Sequence, residues 1–415
     1  MSSRFTSSAG LHSDIRLNRF KVCIVCTQPY ESSPRIIRTA ASLAKNYSVH
    51  VIEFGGAPPF TKSDELIKGI RVTKIRARMS SNNFLKAVIF LLKMLPLLLQ
   101  ERADVYHCFG LTSLVVGVFT KLLIHKKLIY DCFEHYPYQF AGPYLPRTLW
   151  RKAKWVVISR LEELLAKVCN HVIVVPSYRN ELGRRFTNSG ISVSVIANFP
   201  STSLFSNSLC VNSRAHLAHA NKEKVLLYTG GKSRYLELRE ILKSISLLVT
   251  KYSSSISFKM LLVRPESEWK ELLAYVKTLK LEGIVKIIRS VSYFDIPKIY
   301  KLGDIALVLY QPTYWTLRSK ASERLFESML FGLPLVVSDF PGLREIVMTY
   351  QCGVLVDPTD PIAISNAILY LLENPEVATL FGENGRRAIM EELNWEREES
   401  KLENIYTNLF AIKRD

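Results

Sequence analysis

The stretch SERLFESMLFGLPLVVSD (residues 322–339) sets two carboxylates, Glu323 and Glu327, one turn apart at the start of an apparent helix. Like charges at i and i+4 repel by about 0.2–0.5 kcal/mol on an isolated helix, so the pair needs a reason. Ser322 is placed to cap the helix, which puts Glu323 at its positive end, where an acid is favoured. Glu327 lies a turn deeper among Phe326, Met329 and Leu330. A carboxylate sunk among apolar side chains needs hydrogen-bond donors. Two readings supply them: adjacent sugar hydroxyls, spaced like the two carboxylate oxygens, or the guanidinium of Arg324, which could instead face a phosphate.

Three other stretches carry residue types with chemistry. YTGGKSRYLELREILKSISLL (228–248) reads as strand, paired-glycine turn and helix. Gly230 and Gly231 let backbone amides approach a phosphate, and Lys232 and Arg234 add positive charge. The spacing fits neither the dinucleotide fingerprint nor a P-loop, and a bare strand-to-helix turn uses glycine too. IYDCFEHYPYQFAGPY (129–144) gathers Asp131, Glu134 and His135 behind an apolar strand. Glu134 and His135 are acid–base candidates there, with satisfied loop polars as the alternative. No Asp-x-Asp pair stands where a metal would be needed, so no metal site is expected. Lys, Arg and helix-end amides can neutralise a diphosphate without one. PRTLWRKAKWVVISRLEELLAKV (146–168) sets Trp150 and Trp155 among Arg147, Arg151, Lys152 and Lys154. That is the composition of an interfacial segment, or of a packed helix with a solvated basic face.

The elements that must position these residues alternate along the chain. Short apolar, β-branched runs (FKVCIVC, VHVIEFG, IRVTKIRA, DVYHCFG, KKLIYDCFE, HVIVVPS, VSVIANF) are separated by helical patterns. Runs without polar alternation read as parallel strands buried on both faces. Strands alternating with helices imply an open, doubly wound α/β sheet. Around 199–224 the pattern dissolves into Ser, Asn and His, and a second series then begins with VLLYTGG. The expected division is a tail (1–19), a Rossmann-like domain (20–200), a linker (201–224), a second Rossmann-like domain (225–390) and a C-terminal packing helix (391–415). Ligands in such sheets bind beyond the carboxyl ends of the strands, so the cleft between the halves is the expected site.

The chain has 415 residues, 48% hydrophobic and 22% charged, enough for two or three cores. FLKAVIFLLKMLPLLL (84–99) is interrupted by Lys86, Lys93 and Pro96, which reads as a buried or surface helix rather than a membrane span. Seven scattered cysteines read as reduced core thiols and point to a cytosolic chain. Residues 1–200 hold 28 Lys+Arg against 12 Asp+Glu, a net of +16, whereas residues 201–415 hold 27 against 25. The asymmetry implies an anionic partner for the first half. No zinc-finger or RNA-recognition signature accompanies it, so a membrane surface or phosphorylated substrate is expected rather than nucleic acid.

SPRIIRTAASLAKNYSVHVIEFGG (33–56), ADVYHCFGL (103–111), LIYDCFEHYP (128–137), SVIANFP (194–200), SERLFESMLFGLPLVVSDFPGLREIV and CGVLVDPTDPIAISNAILYLLENP resemble family 4 of the retaining glycosyltransferases, enzymes of the GT-B fold. The resemblance implies transfer of a sugar from a nucleotide-sugar donor held by the second domain to a glycan or lipid-linked acceptor held by the first. No cofactor beyond that donor is implied. Glu327 would hold the ribose hydroxyls, and Gly230, Gly231, Lys232, Arg234, Lys320 and Arg324 would face the diphosphate. Arg264 stands in the base-binding turn, where other members have glycine. Two positions depart from the pattern. Ser319 occupies the place of the family's first glutamate, and Phe133 that of a histidine, with His135 two residues later. These departures leave open a catalytically silent GT-B partner of another transferase, and the shared fold also admits a nucleotide-sugar epimerase.

Overall fold

The computed structural model describes residues 20–55, 61–76, 83–142, 148–209, 223–229, 238–252, 258–264, 269–289, 291–320 and 322–411. The first part runs β1 (Lys21–Cys26), α1 (Pro34–Ala44), β2 (Ser48–Phe54), β3 (Thr61–Ile67), β4 (Ile70–Arg76), α2 (Asn83–Glu101), β5 (Val105–Phe109), α3 (Leu111–Ile124), β6 (Lys127–Cys132), α4 (Tyr136–Ala141), α5 (Leu149–Lys167), β7 (His171–Val174), α6 (Glu181–Thr187) and β8 (Val193–Val195). Its eight strands are ordered β3-β4-β2-β1-β5-β6-β7-β8. The second part runs α7 (Ser206–Leu209), β9 (Lys224–Thr229), α8 (Leu238–Tyr252), β10 (Phe258–Arg264), α9 (Trp269–Thr278), β11 (Val285–Arg289), α10 (Ile296–Tyr300), β12 (Ile305–Val308), α11 (Glu323–Leu330), β13 (Leu335–Ser338), α12 (Pro341–Tyr350), β14 (Gly353–Val356), α13 (Pro361–Glu373), α14 (Pro375–Glu391) and α15 (Trp395–Ala411). Its six parallel strands are ordered β11-β10-β9-β12-β13-β14.

The continuous apolar runs follow from burial on both faces. Val22, Ile24 and Cys26 of β1 pack with Ile36, Ile37, Ala40 and Leu43 of α1, while Cys23 and Val25 face Phe90, Met94 and Leu98 of α2 and Leu114 of α3. Alternate residues thus enter separate cores, as the pleat requires. The same alternation holds in β9, where Leu227 and the pair Leu226 and Tyr228 lie in different clusters. Burial pushes up the thiol pKa values of Cys23, Cys26, Cys108 and Cys132, all of them free.

β3 departs from the expectation of parallel strands. TKSDELI pairs antiparallel with β4 at the edge of the first sheet and is largely exposed. Lys68 and Gly69 join the two strands with φ of 50° and 83°, the positive values that a two-residue hairpin demands at both positions. A polar edge strand carries no apolar signal and resists pairing with other chains.

The last helix crosses back to the first domain. The Trp395 indole donates to Ser42 Oγ at 2.8 Å, Tyr406 Oη lies 2.9 Å from His107 Nδ1, and Phe410 stacks on Phe20 at 4.0 Å. Glu396 accepts from Ser201 and Ser203, and Glu398 accepts the Ala197 amide. The residues expected to begin a linker are therefore pinned to the start of α15.

Inside the first domain, Arg35 of α1 holds Asp131 at the end of β6, its Nε 3.0 Å from both carboxylate oxygens. Its Nη1 donates to the Ile196 carbonyl and Asn198 Oδ1. Arg35→Ala strands the Asp131 carboxylate in the core, and breaking such a buried pair costs about 3–5 kcal/mol. Urea denaturation is expected to show a loss of that size; a loss below about 1 kcal/mol would mean that water reaches Asp131.

Candidate active site

The carboxyl end of the second sheet gathers Thr229 at the end of β9, Tyr310 just past β12, Tyr300 at the end of α10 and the first turns of α11. Ser322 caps α11, accepting the Leu325 amide at 3.3 Å, and its hydroxyl also meets Tyr310 Oη at 2.8 Å. The cap aims the helix N-terminus and its partial positive charge at this end of the sheet.

Glu327 is 4% exposed. Tyr300 Oη donates to its Oε2 at 2.9 Å and lies 3.2 Å from Thr229 Oγ1, while Oε1 is buried without a partner among the described residues. Tyr300 is fixed in turn by stacking on Phe331. Burial pushes the Glu327 carboxyl up to about 8, and the charge of Glu323 adds to the shift. The Tyr300 bond and the charges of Arg38 and Arg324 oppose it. Arg324 does not pair with Glu327. Its Nη1 donates to the Thr229 carbonyl at 2.7 Å, its Nε to Tyr310 Oη at 3.2 Å, and its guanidinium carbon lies 4.3 Å from the centre of the Tyr310 ring. Arg324 Nη2 is buried without a hydrogen-bond acceptor within reach among the described residues, with the Tyr228 ring 5.4 Å from the guanidinium carbon. Among the described residues, one acceptor oxygen and one cationic N–H thus remain unsatisfied three residues apart on α11. Such a site suits a ligand carrying hydroxyl donors and an anionic group.

Glu323 has a partner that its position on the helix did not reveal. Arg38 of α1, with a fully buried side chain, donates through Nη2 to Glu323 Oε1 at 3.0 Å and through Nη1 to Tyr293 Oη at 3.1 Å. Its guanidinium also lies 5.4 Å from the Trp395 ring. The first domain thereby supplies the charge that balances the acid at the head of α11. The signal in the sequence was faint: Arg38 sits within PRIIRTAASLA, among apolar residues that mark the buried face.

Across the cleft, His135 is 5% exposed and its ring packs against Tyr138, Tyr314 and Trp315. Burial, with help from the charges of Arg185 and Arg318, pulls its pKa down to about 3, so the imidazole is neutral at physiological pH. Tyr314 and Trp315 belong to the loop between β12 and α11. Tyr314 stacks on Tyr138 at 3.8 Å and bonds Glu181, Trp315 enters the first domain's core, and Arg318 pairs with Glu181 at 3.1 Å. Ser319 forms an isolated antiparallel bridge with Ser177 of the first domain. Phe133 packs on Phe109 and Tyr136, and Glu134 beside it is half-buried.

Two of the other expected donor-binding residues lie among the described residues. Lys320 is engaged by Glu345 at 2.5 Å. Arg264 ends β10. Gly230, Gly231, Lys232 and Arg234 lie outside the described residues.

This arrangement of two doubly wound sheets is the GT-B fold. Residues 212–388 match the profile of the family described as glycosyl transferases group 1, so the second domain carries that family's signature. The whole chain superposes on sucrose-phosphate synthase from Thermosynechococcus elongatus with a TM-score of 0.71 at 18% identity, covering 95% of this chain and 100% of that one. It also superposes on Anabaena HepE in complex with UDP-glucose, with a TM-score of 0.65 at 15% identity, covering 94% of this chain and 100% of that one. In sequence it is 25% identical over 360 residues to an uncharacterized glycosyltransferase of Haemophilus influenzae, covering 84% of this chain and 89% of the relative. It is 22% identical over 196 residues to N-acetyl-alpha-D-glucosaminyl L-malate synthase of Bacillus anthracis, spanning 47% of this chain and about half of that relative, 48%.

The buried carboxyl gives a pH signature. The folded Glu327 keeps its proton up to about pH 8, while the unfolded chain releases it near the ordinary 4.5. Stability from this group is therefore complete below pH 4.5 and is lost as pH rises towards 8, by roughly 4–5 kcal/mol in all. Glu327→Gln removes the titration and keeps an acceptor for Tyr300. Between pH 5 and 8 the variant should lose about 3 kcal/mol less stability than the wild type in urea titrations. Parallel pH profiles would show that Glu327 is ionised throughout.

Proposed function

We propose that the chain is a retaining glycosyltransferase of the family 4 type, moving a sugar from a nucleotide-diphosphate donor to a glycan or lipid-linked acceptor in surface polysaccharide or glycolipid synthesis. It works in the cytoplasm, peripheral to a membrane. The observation that carries this reading is Glu327, a buried carboxyl with one oxygen held by Tyr300 and the other unbonded, at the carboxyl end of the second sheet. Within that reading it accepts hydrogen bonds from the two ribose hydroxyls of the donor. Those two bonds supply what the buried carboxylate needs, so donor binding also favours its ionised form.

The diphosphate leaves towards Arg324 and the N-terminus of α11. Arg324 is already oriented by Thr229 and Tyr310, so little reorganisation is needed as charge develops on the leaving oxygen. The acceptor oxygen attacks the anomeric carbon on the face from which the diphosphate departs. Attack on that face retains configuration, and the acceptor's proton passes to the departing diphosphate oxygen, with no metal taking part. Gly230, Gly231, Lys232 and Arg234 would add amides and charge around the same diphosphate, and Arg264 would border the base. Lys320 contributes only if it exchanges Glu345 for the phosphate. Glu134 and the neutral His135 would line the acceptor side. In such a site His135 acts as a hydrogen-bonding group and not as a cation.

The rival reading, a catalytically silent GT-B partner, draws on Ser319. At the family's first glutamate position this chain has a serine, in backbone contact with Ser177. Thermal-shift titration with UDP-, GDP-, ADP- and CMP-sugars, followed by assay of nucleotide release with lipid-linked acceptors, separates the two. Stabilisation by one donor, release that grows with acceptor, and at least about a tenfold loss of donor affinity in Glu327→Ala support the enzyme. Wild-type affinity in Glu327→Ala would sink the assignment, and donor binding without turnover on any acceptor favours the partner.

A further inference from the structure

α5 buries one face against the first domain and leaves the opposite, apolar face uncovered. The inner face carries Ser159, Glu162 and Ala166, buried against the first domain, and Trp155, whose ring lies 5.8 Å from that of Tyr138. At 3.6 residues per turn, Leu149, Trp150, Ala153, Val156, Val157, Leu161 and Leu164 all fall within roughly 140° of arc on the opposite side. That side is bare: Leu149 is 85% exposed, Trp150 76%, Val157 64% and Leu164 62%. α3 extends the surface. Lys121 donates to the Val168 carbonyl and to Asn170 at the end of α5, so the last turns of the two helices lie together. There Phe119, Leu122 and Leu123 are also exposed. An exposed apolar arc of this kind, with Arg160 and Lys167 the cations inside it, marks a contact surface on a folded domain.

The charge around it selects the partner. Arg151, Lys152, Lys154 and Lys167 are exposed on α5 and form no ion pair among the described residues. The only carboxylates on the helix, Glu162 and Glu163, are taken by Arg185 and Arg160. An apolar stripe with cations beside it fits a layer that is apolar inside and negative at its surface. A second copy of the chain fits worse, because pairing the stripes would bring two sets of unpaired cations together. The stretch 84–99, also apolar in sequence, does not serve equally, since Phe90, Met94 and Leu98 of α2 are buried in the core.

We infer that the outer face of α5, with the neighbouring end of α3, forms a docking surface for an anionic lipid bilayer, into which Trp150, Val157, Leu161 and Leu164 insert while Lys152, Lys154 and Lys167 meet the headgroups. No helix of the described residues is long and apolar enough to cross a membrane, so the contact lies in the plane of the interface. This deepens the membrane partner named under the proposed function. Through Trp155 and Tyr138 the docked helix touches the loop that carries His135, one helix thickness from the bilayer. A lipid-linked acceptor rising from the membrane would reach the cleft beside that loop.

The test is flotation of the full chain with phosphatidylglycerol–phosphatidylcholine vesicles and with pure phosphatidylcholine vesicles, in the absence of donor and acceptor. The wild type should bind the anionic vesicles at least about tenfold more strongly. The combined variant Val157→Ser/Leu161→Ser/Leu164→Ser should lose about tenfold in binding at an unchanged urea midpoint, because its sites are exposed. Lys152→Glu/Lys154→Glu/Lys167→Glu should abolish the preference for anionic lipid. Bromine-labelled lipid should quench wild-type fluorescence more than that of Trp150→Phe, a readout that stands even if the triple serine variant fails to fold. Equal flotation of wild type and serine variant overturns the inference. So does a concentration-dependent dimer that the serine substitutions dissolve, since the face would then pair two copies. Because no nucleotide is present, vesicle binding can hold where transfer fails, and the reverse.

Discussion

Each domain of this protein supplies charges that the other domain's buried or half-buried acids require. Arg38, on the first helix, is sealed from water and meets Glu323 at the head of α11. Arg318, from the second domain, meets Glu181. Lys45 meets Glu399 on the returning helix α15, and the Ala197 amide meets Glu398. A buried cation whose carboxylate is removed is left with its desolvation penalty uncompensated. The Arg38–Glu323 pair therefore cannot be broken without cost, and together with an apolar core that draws residues from both domains it joins the two sheets along a seam.

The cleft inherits its character from that seam. Arg38 neutralises Glu323 and so limits the repulsion felt by Glu327 one turn below. Glu327 still sits in a place where burial favours its protonated form. A ligand that brings hydroxyl donors changes that balance, because an ionised carboxylate fully bonded in a low-dielectric site is far better off than one half bonded. Arg324 is held differently, by a carbonyl and a tyrosine hydroxyl rather than by an acid. Its charge is therefore not cancelled locally and remains available to an anion. The loop carrying Tyr314 and Trp315 closes the far side by inserting into the first domain.

Much of the architecture was legible because apolar periodicity survives in the sequence. The parallel strands are continuous apolar runs, and the seven-residue stretch of β3 was missed because it is polar and solvated. Its turn, Lys68–Gly69, also lacks the Asn-Gly or Asp-Gly signature that announces a hairpin. Ser322 as a cap and Glu327 as a sunken carboxyl could be read from their neighbours alone, since both depend on contacts within one helix. Arg324 was expected either against Glu327 or towards a phosphate, and the first option failed because Thr229 and Tyr310, far away in sequence, take two of its donor groups. α5 was recognised as aromatic and basic, but which of its apolar residues were bare could not be known before its inner face was assigned.

What the sequence determined by itself was the set of local elements and the chemical types offered at their ends. Those follow from interactions over a few residues: periodic burial, capping, and glycine in turns. Only the tertiary structure decided which partner each charge received. Arg38 finds Glu323 across 285 positions, Tyr300 finds Glu327 from a neighbouring helix, and Lys320 finds Glu345 rather than the cleft. Electrostatic and hydrogen-bond partners in a buried seam are set by distance and desolvation, and neither is defined until the two sheets have packed.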